Sequence, residues 1–188
     1  EARAKAGDRL KSLGLEGSLL LGLAPGASFG PAKIWPAKRF AAAAARILAV
    51  KPGAALIFGS RAEAEATKKV KEQLGRLAFD LSGQTALEAA AALIQRCDLF
   101  LTNDTGLMHV AAAVGTPLVA IFGSTDLAAT GPMGPRQSVL RRQVECSPCL
   151  KETCRQPTHR CMELITPEEA AAAGLSLLRD EAAGRQRS

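Results

Sequence analysis

Leu19-Leu-Leu-Gly-Leu-Ala24, Pro25-Gly-Ala-Ser-Phe-Gly-Pro-Ala-Lys-Ile-Trp35, the Ala-rich stretch Pro36 to Val50 and Ala54-Ala-Leu-Ile-Phe-Gly59 follow one another without a gap longer than three residues. They read as strand, Gly/Pro-rich turn, helix and second strand. Neither apolar run alternates with polar residues, as expected of strands covered on both faces. Pro36, with its fixed φ, suits the first position of the intervening helix. This is a βαβ unit, and the fold class it predicts is α/β with a parallel sheet and helices on both faces.

The alternation continues along the chain. Strands are predicted near Ala78–Leu81, at Asp98–Thr102, at Pro117–Phe122 and, more weakly, at Ser138–Arg142; helices are predicted at Arg61–Leu74, Thr85–Arg96 and Leu107–Val114. A last helix opens with the capping box Thr166-Pro-Glu-Glu169 and runs to about Ala182, with Gly131 to Pro135 as a loop. The 188 residues suit one compact unit over 18–183. Residues 1–17 are expected to be a helix or linker from a preceding domain, and 184–188 a disordered tail. The chain starts at Glu1 with neither an initiator Met nor an apolar leader core, so it is expected to be part of something longer.

Composition narrows the function. Apolar residues at 47% and charged residues at 22% exclude a disordered or fibrous chain. No apolar run approaches bilayer length. The net charge of +6 fits a phosphorylated ligand or an anionic membrane surface. One Trp, six Phe and no Tyr leave few platforms for stacking nucleobases, so nucleic acid is not expected as a partner.

Three polar loops are predicted on one rim of the sheet, where open α/β folds bind ligands. The loop after the first strand brings Gly-rich backbone, the Ser28 hydroxyl and the Lys33 cation. The second, Asn103-Asp-Thr-Gly-Leu-Met-His109, is expected to cap a helix through Asp104 or Thr105 and to present the N–H groups of Thr105 and Gly106 to an anion, with His109 one turn in. The third is Gly123-Ser-Thr-Asp126. Glu63, past the second strand, is placed to accept hydrogen bonds from a ribose. Cys146, Cys149, Cys154 and Cys161 give C-x2-C-x4-C-x6-C in one short loop, 146–161, with His159 among them. That spacing leaves structural zinc, free thiols and disulfides all open. Cys97 reads as a small buried hydrophobe.

On Pro25 to Pro36, Asn103 to His109, Phe122 to Asp126 and Cys146-Ser-Pro-Cys149 to Cys161-Met162, in this order and spacing, the chain resembles the lipopolysaccharide heptosyltransferases of glycosyltransferase family nine, most closely those of the heptosyltransferase II type. The resemblance covers nearly the whole chain. It implies a Rossmann-like domain, the C-terminal half of a two-domain GT-B-type enzyme that transfers L-glycero-D-manno-heptose from ADP-heptose to the heptosyl-Kdo inner core of lipopolysaccharide. It further implies that Lys33 and the Ser28 region meet the diphosphate and that Thr105 and Gly106 bind phosphate. Asp104 and His109 would shape the sugar and phosphate site, Glu63 would hold the ribose, and the surroundings of Thr85 the adenine. Lys33 and Asp104 are then the catalytic candidates. No cofactor and no catalytic metal are implied, and the general base is expected in the other half. The acceptor, lipid A-Kdo-heptose, would be met through that half, and the location would be cytoplasmic, with peripheral contact at the inner face of the inner membrane. Two other readings compete. A dinucleotide-binding oxidoreductase domain lacks its G-x-G-x-x-G after the first strand. A zinc-stabilised nucleic-acid-binding module would use the Cys loop and the basic charge.

Overall fold

The computed structural model describes residues 1–185, with side chains through Asp180. Six parallel strands form one sheet in the order β3-β2-β1-β4-β5-β6. They are β1 Leu19–Ala24, β2 Gly53–Ile57, β3 Ala78–Asp80, β4 Leu99–Asn103, β5 Leu118–Phe122 and β6 Gln137–Arg141. From β1 the chain winds outward through β2 and β3, then returns to lay β4, β5 and β6 on the other side. The strand order therefore reverses between β1 and β4, and a crevice opens beyond their carboxyl ends.

Successive side chains on a strand point to opposite faces. Leu21 and Leu23 of β1 join the core under helices α2 Ala37–Val50, α3 Ala64–Leu74 and α8 Pro167–Arg185. Leu20 and Ala24 join a second core under α1 Ala2–Ser12, α4 Leu87–Ile94 and α5 Gly106–Ala113. Burial of both faces explains why β1, β2 and β5 are apolar throughout and why β4 is apolar up to Leu101, its last two residues, Thr102 and Asn103, being buried polar groups at the rim; the edge strand β6 is half-buried along its length. On the first face Trp35 and Phe40 are fully buried, edge to face with ring centres 5.1 Å apart, a geometry worth about 1 kcal/mol beyond the area buried.

The elements lie where expected, with differences that have local causes. Pro36 sits just before the helix, as its cap residue, and Ala37 is the first helical position. The stretch from Arg61 opens as a tight 3-10 turn, Arg61–Glu63, because Ser60 and Glu63 form a capping box there. Helix α4 starts at Leu87, which leaves Thr85 in the loop above the crevice. Two four-residue helices were not anticipated, α6 Leu127–Thr130 and α7 Arg160–Glu163. The last helix is capped as predicted: Thr166 N–H donates to Glu169 Oε2 at 2.9 Å, and Glu169 N–H donates to Thr166 Oγ1 at 3.2 Å. Within 1–17, α1 buries Ala6 and Leu10 against the second core. Of the tail expected at 184–188, α8 is described through Arg185, and 186–188 lie outside the described residues.

Candidate functional site

The loop between β1 and α2 has to stand clear of the sheet and still hold its shape. Asn103, the last residue of β4 and fully buried, does this from below. Its Nδ2 donates to the carbonyls of Pro25 (2.8 Å) and Gly26 (3.2 Å), and its Oδ1 accepts from Trp35 N–H at 3.1 Å. One side chain thus ties both ends of an eleven-residue loop together, with all of its hydrogen bonds made in the dry interior, where a broken one is costly. Trp35 Nε1 donates to the Ile165 carbonyl at 3.1 Å and anchors the far end. Nothing in the sequence marks these roles of Asn103 and Trp35, whose partners lie 68 to 130 residues away.

On this frame Lys33 Nζ comes to 2.7 Å from Asp104 Oδ2, with the side chains only 12% and 5% exposed. The same oxygen accepts from Thr125 Oγ1 at 2.6 Å and from Thr130 Oγ1 at 3.2 Å. The ammonium also lies 4.9 Å from the centre of the Phe29 ring. A carboxylate leaves water at acceptable cost only when paired and hydrogen-bonded, and here both conditions hold. Of the two residues expected to cap α5, Thr105 takes the N-cap position, without a side-chain hydrogen bond, and the Asp104 carboxylate is committed to Lys33 and the two threonines instead.

Two hollows meet at this point. One, of about 420 Å³, is lined by Gly26, Ser28, Phe58, Glu63, Thr85 and Leu87 among others, and the second, of about 250 Å³, by Phe29, Lys33, Asp104, His109 and Thr130. Ser28, Thr105 and Gly106 belong to both walls. Gly106 opens α5, so the free N–H groups of its first turn face the junction. Thr105 Oγ1 is buried there without a hydrogen-bond partner. The structure therefore brings together all eight residues singled out above: Ser28, Lys33, Glu63, Thr85, Asp104, Thr105, Gly106 and His109. Glu63 stands so close to Gly26 that a Cβ there would meet its Oε1 at 2.3 Å, and its Oε2 accepts from Ser60 N–H at 2.7 Å. An apolar compartment with a carboxylate at its edge, a helix N-terminus and a buried cation thus follow one another along the crevice.

The Cys-rich segment lines neither hollow; it packs behind the loops that carry Lys33 and Thr125 and encloses a hollow of its own, about 190 Å³, lined by Cys146, Cys154 and Cys161 among others. All five cysteines are free thiols, so the disulfide alternative is not realised. Among the described residues no group of three or more His, Cys, Asp or Glu side chains is arranged to hold a metal ion. Burial pushes the Cys161 thiol up to about 11, with the neighbouring thiols of Cys154, Cys146 and Cys149 adding to the shift. Burial pushes Cys97 further still, reinforced by Asp98. Both are protonated packing groups at neutral pH.

A profile of glycosyltransferase family 9 (heptosyltransferase) matches residues 2–159. The chain is 36% identical over 170 residues to lipooligosaccharide heptosyltransferase 2 of Campylobacter jejuni, an alignment covering 87% of this chain and 52% of that protein. Among solved structures it is similar to ADP-heptose lps heptosyltransferase II of E. coli, with TM-score 0.80 and 30% identity over 96% of this chain and 52% of the other. The glycosyl transferase family 9 protein of Veillonella parvula gives TM-score 0.81 and 29% identity over 95% and 52%. The chain spans about half the length of the relatives it matches.

Proposed function

This chain belongs to glycosyltransferase family 9, and from that premise we propose that it is the nucleotide-sugar-binding half of an ADP-heptose:lipopolysaccharide heptosyltransferase of the heptosyltransferase II type. The observation that carries the reading is the Lys33–Asp104 pair, buried beside the N-terminus of α5 at the strand-order reversal and joined to an apolar cleft of about 420 Å³. In this reading the adenine lies along Phe58, Leu87, Ala90 and Val110, near Thr85, and its ribose reaches Glu63. The diphosphate meets Ser28, the N–H groups at Thr105 and Gly106, and Lys33. The heptose occupies the smaller hollow beside Asp104 and His109.

The chemistry follows from charge. As an acceptor hydroxyl attacks the anomeric carbon, the bond to ADP breaks and negative charge builds on the departing diphosphate. Donors already aimed at that position stabilise the transition state without reorganising during the reaction. Lys33 and the first turn of α5 are such donors, and Asp104 holds Lys33 in place. The base that takes the acceptor proton, and the surface that meets the lipid A-Kdo-heptose acceptor, are assigned to the other half. No helix among the described residues is long and apolar enough to cross a membrane, and the +6 charge favours peripheral contact with anionic lipid on the cytoplasmic side. The oxidoreductase and nucleic-acid readings draw no support from the named relatives.

Calorimetric titration with ADP, ADP-heptose and NAD tests this. The chain is expected to bind ADP and ADP-heptose and not NAD, with Lys33→Ala weakening ADP roughly 10- to 100-fold, the range for one charged hydrogen-bonding partner. A folded chain that ignores ADP, or takes NAD equally well, would sink the assignment.

A further inference from the structure

The Cys-rich segment is hydrogen-bonded to the loop between β1 and α2 at one residue. Ala32, the middle of the 3-10 turn Pro31–Lys33, is 1% exposed, and both of its backbone groups are taken by that segment. Its N–H donates to the Glu152 carbonyl at 2.9 Å, and its carbonyl accepts from His159 Nε2 at 2.9 Å. A carbonyl only accepts, so the ring carries its hydrogen on Nε2. The approach is tight enough to dictate Gly30, whose φ of +148° lies outside the range L side chains favour and whose Cβ, if present, would stand 2.6 Å from the Glu152 oxygen.

His159 is itself fixed. Its carbonyl accepts from Met162 N–H at 3.0 Å and Glu163 N–H at 2.8 Å at the start of α7, and the buried Cys161 and Met162 hold α7 against Gly123. The same segment grips the loop after β5. Ser147 Oγ donates to the Gly123 carbonyl at 2.5 Å, and Leu150 N–H donates to the Ser124 carbonyl at 2.7 Å. The two loops so gripped are those that deliver Lys33 and Thr125 to Asp104.

We infer that His159 is a positioning residue for donor binding: through Ala32 it sets where the Lys33 ammonium stands, and the Cys-rich segment braces the diphosphate site from outside. The inference rests on the reading of Lys33 as a diphosphate ligand. It differs from a general packing role because its effect must pass through Lys33.

The test is calorimetric titration of the whole chain with ADP, paired with amide hydrogen exchange at Ala32. His159→Ala is expected to weaken ADP about fivefold to tenfold, the size of one lost hydrogen bond. His159→Gln, whose side-chain amide nitrogen reaches about as far as Nε2, is expected to stay within about twofold of wild type on the same scale. His159→Asn, with a shorter side chain, should not rescue. In a Lys33→Ala background His159→Ala should add no further loss, and Ala32 exchange should quicken in His159→Ala alone of the Ala and Gln variants. Equal losses in both backgrounds, or no loss with wild-type binding intact, would overturn the positioning role. If the folded wild type binds no ADP, the donor-site reading itself falls, and unchanged exchange at Ala32 in His159→Ala would separately remove the brace.

Discussion

The two ends of the cleft are built on opposite plans. At the Lys33 end the polar groups are engaged before any ligand arrives: cation, carboxylate and two hydroxyls converge on Asp104 Oδ2 in a nearly dry pocket. At the Thr85 end the wall is open. Leu87 is 64% exposed, and Thr85 rests in the loop before α4. The contrast teaches where preorganisation is needed. Binding a diphosphate in low dielectric is favourable only if the opposing charge is already desolvated and aimed, so that cost is met in folding. A flat base needs only apolar area to cover, and that area can wait in water until the ligand comes.

The largest expected effect breaks the closed end. Asp104→Ala leaves Lys33 buried without its counter-charge and strips the acceptor from Thr125, while Thr130 keeps the Asp126 carbonyl at 3.1 Å. Such a change costs about 3–5 kcal/mol of folding stability, read as a lower urea midpoint with an unchanged denaturant slope. Leu87→Ala at the open end should move stability by less than about 0.5 kcal/mol, as exposed substitutions do. If the two variants unfolded alike, the contrast between the ends would be gone.

A middle case sharpens it. Glu63 belongs to the open cleft, yet one carboxylate oxygen is spent on the Ser60 N–H of its capping box. Glu63→Ala is therefore expected to cost about 1 kcal/mol of stability through the lost cap and to weaken ADP about tenfold through lost ribose contacts. Comparing ADP with 2′-deoxy-ADP separates the two contributions. Wild type should discriminate between them, and the variant should not. A variant that still discriminates would place the ribose elsewhere.

What was legible in the sequence divides along a physical line. The apolar runs identified the strands because both faces of the sheet are covered, so burial leaves a mark at every position of β1 and β5. The glycines and small polar residues at successive strand ends marked the rim for the same local reason. Four-residue helices such as α6 and α7 leave no periodic trace, since one turn is too short for a 3.6-residue pattern to repeat. The wiring of the site was also out of reach. An Asp just before a helix reads as a cap, and only the fold brings Lys33 within 2.7 Å to claim it. Asn103 and His159 act on backbone groups 68 to 127 residues away, and no spacing rule addresses such partners.

The smallest expected effect tests the open end by itself. Thr85→Val keeps the shape of the side chain and removes the hydroxyl. Among the described residues that hydroxyl makes no hydrogen bond, so the urea midpoint should not move. One neutral hydrogen bond to the base is worth about 0.5–1 kcal/mol, so the ADP affinity should fall roughly threefold. The paired measurement carries the argument, because each half excludes a different error. A lower midpoint would mean that Thr85 is wired into the fold, as Asp104 is, and the open end would not be open. An unchanged affinity in both Thr85→Val and Leu87→Ala would mean that the base lies outside this compartment, while the diphosphate assignment at Lys33 would stand on its own titration.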